Sequence, residues 1–394
     1  MTACNSANCL PLELRKIYED AQKEYASDGV FFLKEEFITD IERRLSPYPN
    51  IFDELISASK EISADGESAL YALFVYRVMI NRKLFKKHSK LFDFDDEKHP
   101  YLAFFVLLPT IEDTYNNLIS RDIPESVIKN VLCHYEECVF IYEERTGRRG
   151  MNKRYFDWLQ HYVDCEILNI DRLRFEFTTV TDPVYLLKND ETGEHILLYS
   201  GGKMKSDGMC LGTVPEDEGD GFYAEFFETD SEYIGHRILS NGKCSRHRET
   251  FSKNGHTLLI SPSDTCLSVH IPPKSKGGFT KEICIENYKK AISIFKKCYP
   301  ELKIKAIRCR SWMLSQELRD ILKADSNILG FQQPYHIYPI VSKGQDVFNF
   351  VFKLKFNTYQ DMAEDTSLQR AIKKLYLDGK YVYEYGGIFS IDEL

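Results

Sequence analysis

The sequence predicts an α+β protein: a helical N-terminal domain over residues 1–165, then a mixed β-sheet domain with flanking helices over residues 166–394. Three observations carry this. The chain has 394 residues, more than one hydrophobic core ordinarily serves. Up to about residue 165, apolar residues recur at three- and four-residue steps between short polar breaks. Beyond Trp158 the texture changes to short runs of β-branched and aromatic residues separated by turn formers such as Asp190 and Gly193.

In the first half the spacing predicts helices over 14–26, 36–44, 51–59, 68–90 and 109–119. The clearest begins at "IPESVIKNVLCHYEECVFIYEERTG". Pro124 stands at its start, where a missing N–H costs nothing, and Gly147 ends it. Val127, Val131, Tyr135, Cys138 and Tyr142 form its apolar stripe.

In the second half "LRFEFTTV", "VYLLKND", "HILLYS", "GFYAEFFETD", "YIGHRI" and "DTCLSVHIP" read as strands. Helices are predicted over 281–299 and 315–323, and strands over 304–309, 332–341 and 347–354. "YGGIF", near the C-terminus, is expected to form turns beside a last strand. The run 266–271, the helix 281–299 and the strand 304–309 make a βαβ unit with parallel strands.

Composition excludes several classes. The net charge of −9 argues against a nucleic-acid partner, which would favour basic patches. The strongest apolar run, "YLAFFVLLP", is half the length a membrane span needs. The N-terminus has neither a basic start nor an apolar core of a signal peptide. The eleven cysteines are scattered, with no CxxC pair, so reduced thiols and a cytoplasmic location are expected. Cys133-His134 with Cys138, and Cys244 with His247, lack a partner pair at ligand spacing, so no metal is expected. There is no GxSxG elbow and no HExxH helix.

One stretch carries chemistry. In "LSVHIPPKSKGGFTKEICIENYKKAISIFKK" a strand stops at a double proline, a basic glycine-bearing loop follows, and a helix opens at Thr280. Thr280 is a helix N-cap, and the free N–H groups of the first turn suit an anion. Gly277 and Gly278 permit close backbone approach, and Lys274 and Lys276 add positive charge. The same composition also describes a solvated turn with an ordinary cap, and it is neither GxxxxGK[ST] nor GxGxxG.

The order strand–loop–helix–strand–helix–strand–strand resembles the C-terminal portion of the GCN5-related N-acetyltransferase (GNAT) fold. More closely, the chain resembles a bacterial two-domain acyltransferase family that joins a helical N-acyltransferase N-terminal domain to a GNAT-like C-terminal domain. The resemblance rests on "IPESVIKNVL", "DRLRFEF", "VHIP", "CRSWMLSQEL", "SNILGFQ" and "DTSLQRAI", which fall in the family's order across nearly the whole chain. The chain departs from the family at Asp171, where a glycine is usual, and at Ser315-Gln316, where Asp-Pro is usual. "KSKGG" also replaces the usual Q/R-x-x-G-x-G/A loop.

What the resemblance implies is transfer of an acyl group from acetyl-CoA or another acyl-CoA to a small-molecule or peptide amine, with no metal. The two parallel strands would splay, the pantetheine arm would lie along Leu267, Ser268, Val269, His270 and Ile271, and a backbone N–H near Val269 or His270 would face the developing oxyanion. Lys274, Lys276, Gly277, Gly278 and Thr280 would receive the pyrophosphate. His270 and Glu176 are the candidates for the base that neutralises the amine. The family's usual tyrosine acid is missing after the fifth strand, which leaves Ser311, Tyr335 or Tyr338 to protonate the thiolate. The missing glycine motif and tyrosine also fit an alternative, a catalytically weak or inactive acyl-CoA sensor or scaffold.

Overall fold

The computed structural model describes residues 10–45, 51–215, 219–272, 278–353 and 356–394. The chain divides into two compact units, Met1–Leu168 and Asn169–Leu394. The first is helical. Its elements are α1 (Leu12–Asp28), α2 (Glu35–Leu45), α3 (Phe52–Ala64), α4 (Gly66–Met79), α5 (Arg82–His88), α6 (Leu102–Leu107), α7 (Thr110–Ser120), α8 (Glu125–Thr146) and α9 (Lys153–Val163).

The long helix expected over 68–90 is two helices. Asn81 breaks it, and its side chain caps α5 by accepting the Leu84 N–H at 3.2 Å. α8 starts directly after Pro124 and ends at Gly147, whose φ of 79° is left-handed. His134, inside α8, receives the indole N–H of Trp158 at 2.8 Å on Nε2 and lies 2.9 Å from Glu137 through Nδ1. That imidazole is held within the helical core.

The boundary falls within β1 (Ile167–Ile170), and the second unit then carries β2 (Leu173–Thr179), β3 (Val184–Asn189), β4 (His195–Tyr199), β5 (Gly202–Met204), β6 (Phe222–Ala224), β7 (Phe226–Glu228), β8 (Glu232–Ile238), β9 (Cys244–Ser252), β10 (His256–Ile260) and β11 (Thr265–His270). Then follow α10 (Lys281–Cys298), β12 (Ala306–Ser311), α11 (Asn327–Gln332), β13 (His336–Pro339), α12 (Asp346–Phe350), α13 (Ser367–Leu377) and β14 (Tyr385–Ser390). Among the described residues one sheet runs β1-β2-β11-β12-β14-β13, and a second runs β10-β3-β4-β8-β7 with β9 beside β8.

Three expectations are corrected here. "YGGIFS" is not a turn but strand β14, paired between β12 and β13. Its glycines serve packing: a Cβ on Gly386 would fall 2.2 Å from the Tyr338 ring, and one on Gly387 2.9 Å from Leu314. The strand expected over 347–354 is helix α12, whose Val347 and Phe348 join a core cluster with Trp312, Ile372 and Tyr376. The helix expected over 315–323 is a 3₁₀ turn, Gln316–Asp320.

The main sheet is covered on both faces. On one, Tyr288 and Phe295 of α10 and Tyr299 just after it meet Phe175, Phe177 and Phe389, with ring centroids 5.3–6.2 Å apart. On the other, Cys266, Ala306 and Ile388 join Leu186, Leu197 and Ile238 of the second sheet in a single apolar cluster. The buried stripe of α10 runs through Cys284, Asn287, Tyr288, Ala291 and Phe295. Asn287 is polar yet buried, because its Oδ1 accepts the backbone N–H groups of Arg172 and Leu173 at 2.9 and 3.2 Å. This ties the start of β2 to α10.

Candidate active site

β11 lies between β2 and β12. With β12 it is parallel, in register at Cys266↔Ala306, Leu267↔Ile307 and Ser268↔Arg308. The pairing stops there, although β11 continues to His270 and β12 to Ser311. Each strand keeps its other neighbour: His270 still faces Arg174 of β2, and Ser311 still faces Tyr385 of β14. The two ribbons therefore part beyond Ser268 and Arg308. Backbone groups on the inner edges of the diverging ends are released from ladder hydrogen bonds.

The alternation of strand side chains sorts the neighbouring residues onto two faces. Leu267, Val269, Ile307 and Cys309 share the face that α10 covers, and all four are buried. Burial pushes the Cys309 thiol up to about 12. Ser268, His270, Arg308 and Arg310 take the other face, so Cys309 and His270 form no thiol–imidazole pair.

On that other face β2 brings Glu176 opposite Ser268, one step diagonal to His270. The His270 Nε2 and a Glu176 carboxylate oxygen stand 2.8 Å apart. Their side chains are 31% and 18% exposed, which leaves the imidazole accessible while the carboxylate is largely covered. A carboxylate on one ring nitrogen orients the imidazole.

The point of divergence is fixed by a buried ion cluster. Asp182, wholly buried, accepts hydrogen bonds from the guanidinium groups of Arg308 and Arg310, and Arg308 also donates to Thr181 Oγ1 at 3.0 Å. Burial alone would raise the Asp182 carboxyl, but the two adjacent guanidinium groups hold it below its ordinary value.

Ser311 ends β12, and its Oγ accepts the Met313 N–H at 3.1 Å, capping the turn Trp312–Leu314. Trp312 is a packing residue of the cluster around α13. Tyr335 and Tyr338 are buried and held far above the ordinary phenol value by that burial. Tyr335 shares a 2.9 Å hydrogen bond with the hydroxyl of Tyr288. Neither phenol ionises at neutral pH.

α10 begins as the sequence indicates. The Thr280 Oγ accepts the Ile283 N–H at 3.4 Å, and Gly278 is exposed just before it. Lys274, Lys276 and Gly277 lie outside the described residues. Where the chain leaves β11, the Arg172 guanidinium donates to the Pro272 carbonyl at 3.0 Å and stacks 5.1 Å from the Phe279 ring centroid. Arg172 thereby touches residues on both sides of the basic loop. Leu267 and Ser268 belong to the paired part of β11, so free inner backbone begins at Val269.

A parallel strand pair that parts over a helix N-terminus, with a mixed sheet continuing antiparallel beyond it, defines a GNAT-like domain. Residues 167–389 match the family described as GNAT-like C-terminal domain, and the chain belongs to that family. Among solved structures it is similar to an acyltransferase mutant in complex with octanoyl-CoA: 15% identity, TM-score 0.60, covering 97% of this chain and 96% of that one. It is also similar to an acyltransferase in complex with decanoyl-CoA, at 16% identity and TM-score 0.59, covering 96% and 98%. A third is an acyltransferase in complex with decanoyl-CoA and teicoplanin, at 16% identity and TM-score 0.57, covering 97% and 96%. At these identities the likeness is one of fold. No curated protein matches the chain. Among the described residues no helix is long and apolar enough to cross a membrane.

Proposed function

We propose that this chain transfers an acyl group from acyl-CoA to an amine. The observation that carries the reading is the parting of β11 and β12 after Ser268↔Arg308 while each keeps its outer partner. A slot between two strands offers unpaired backbone to the amides of a pantetheine arm. A backbone N–H at Val269 or His270 then faces the thioester oxygen as it gains charge. The start of α10 at Thr280, with Gly278 and the loop residues Lys274, Lys276 and Gly277, receives the pyrophosphate.

His270 is the base in this reading and Glu176 its positioning partner, because the carboxylate holds the imidazole while the ring remains partly exposed. His270 accepts a proton from the amine, the amine nitrogen bonds to the thioester carbon, and the thiolate departs. Ser311 stands at the end of the opposite ribbon and is the candidate to relay a proton from solvent to that thiolate, giving up its own hydrogen as it takes one from water. The related folds hold octanoyl- and decanoyl-CoA, which makes medium-chain thioesters the first donors to try.

The test is a thermal melt with acetyl-, octanoyl- and decanoyl-CoA, followed by thiol release against a panel of amines. A midpoint rising with ligand concentration and amine-dependent thiol release are expected. His270→Ala should lower turnover by about 10²–10⁴-fold with CoA affinity retained. Absence of a shift with every thioester would refute the reading. Binding without amine-dependent release would favour a sensor.

A further inference from the structure

His195 at the start of β4, His336 at the start of β13 and Glu393 near the C-terminus converge outside the site just described. β13 is the edge of the main sheet, separated from the β11/β12 gap by β14 and β12. The potential ligand atoms of the three side chains all lie within 4.8 Å of one another. His336 Nε2 is 2.8 Å and His195 Nδ1 3.5 Å from the same Glu393 oxygen, Oε2. The imidazole centroids are 5.3 Å apart.

A hydrogen-bonded pair accounts for only part of this. The 2.8 Å contact is a good hydrogen bond, but 3.5 Å is beyond the usual range for a second one. Two imidazoles thus crowd one carboxylate oxygen, and only one is properly bonded to it. The other carboxylate oxygen accepts the Ser390 N–H at 2.7 Å, which orients the group from behind. All three side chains are 20–26% exposed, so the cluster is partly shielded but reachable.

We propose that His195, His336 and Glu393 form a binding site for a divalent transition metal, zinc by the chemistry of its donors. Two imidazole nitrogens and one carboxylate are a donor set that zinc accepts, leaving a fourth position for water or another oxygen ligand. Tetrahedral bonds of about 2.0–2.2 Å place donors roughly 3.3–3.5 Å apart. His195 already stands at that spacing from the carboxylate, and His336 reaches it by a shift of about half an ångström. The metal takes the place of the hydrogen bond between His336 and Glu393.

Both histidines also line a cavity of about 480 Å³, together with Arg237, Glu249 and Arg319. Arg237 is paired with Glu194 and Glu249, and Arg319 donates from Nε to Gln332 at 3.2 Å. The open metal position therefore adjoins a cavity in which Arg237 is already matched by carboxylates and Arg319 adds a further positive charge, which suits an oxygen ligand. The three ligands come from distant stretches of chain, so no local spacing announces the site, and the sequence reading expects no metal.

The full chain, stripped with a chelator and dialysed, is titrated with Co²⁺ and then Zn²⁺. One cobalt per chain with visible d–d absorption, displaced by zinc, is expected. His195→Ala and Glu393→Gln should each weaken binding at least tenfold, while the metal-free variants melt close to the wild-type midpoint. The Gln variant preserves side-chain volume, so a folding defect in the alanine variant does not decide the matter. No stoichiometric cobalt binding by the wild-type chain would overturn the proposal. So would a thiolate-to-cobalt charge-transfer band, or wild-type binding by the His195→Ala/His336→Ala double variant, since both put the metal elsewhere.

Discussion

Replacing Asp182 by asparagine removes one charge from the cluster that fixes where the two central strands part. The side chain is wholly buried, Arg308 is 9% exposed, and Arg310 is half in solvent. Breaking a buried ion pair by removing one partner costs about 3–5 kcal/mol, because the remaining charge is left uncompensated. Arg310 can turn to water and contributes little of this; Arg308 cannot. Asparagine keeps the shape and one acceptor, so the lower end, about 3 kcal/mol, is expected. Over Asn169–Leu394 the unfolding entropy is about 0.47 kcal/mol/K from the usual per-residue value, so 3 kcal/mol lowers the midpoint by about 6 °C. A pH series supplies the second arm. The Asp182 carboxyl is held below its ordinary value in the folded state, so its contribution is fully present above about pH 3.9 and is lost as pH falls through the lower folded value. The gap between wild type and variant is therefore constant from neutral pH down to about pH 4 and closes below it. Scanning calorimetry across that range reads both effects. A shift under about 2 °C at pH 7, or a gap that widens on acidification, would refute the claim that the ion cluster holds this junction.

Other consequences concern single positions. Gly386→Ala places a methyl 2.2 Å from the fully buried Tyr338 ring, so a loss of about 1–3 kcal/mol by urea unfolding is expected. The companion Tyr338→Leu should recover part of that loss, and no recovery would mean the clash lies elsewhere. Thr280→Ala removes the α10 cap and should cost about 0.5–1 kcal/mol. Its CoA affinity should remain near wild type, because in the proposed reading the backbone N–H groups hold the anion while the hydroxyl accepts the Ile283 N–H; a tenfold loss of affinity would assign the hydroxyl to the ligand.

The sequence by itself determined the order of texture along the chain and several helix boundaries. Pro124 and Gly147 bound α8, and Thr280 caps α10, because capping and breaking are local events that a few residues settle. The strand–helix–strand order around 266–311 was legible for the same reason, and with it the family resemblance. Tertiary structure decided what depends on partners distant in sequence. "YGGIFS" reads as turns because glycine weakens strands, yet it is an interior strand paired on both sides, where the rings of Tyr338 and Tyr335 need the space that missing side chains leave. "VFNFVF" reads as strand, but Val347, Phe348 and Phe352 are claimed by the cluster around Trp312 and Tyr376 while Phe350 is exposed, and a helical turn sorts them that way. The chemistry implied by the family resemblance names His270 and Glu176 as separate candidates; only the antiparallel register of β2 on β11 joins them at 2.8 Å. The parting of β11 from β12 is likewise invisible in either strand alone, because it is set by Asp182, Arg308 and the outer strands that hold each ribbon in place.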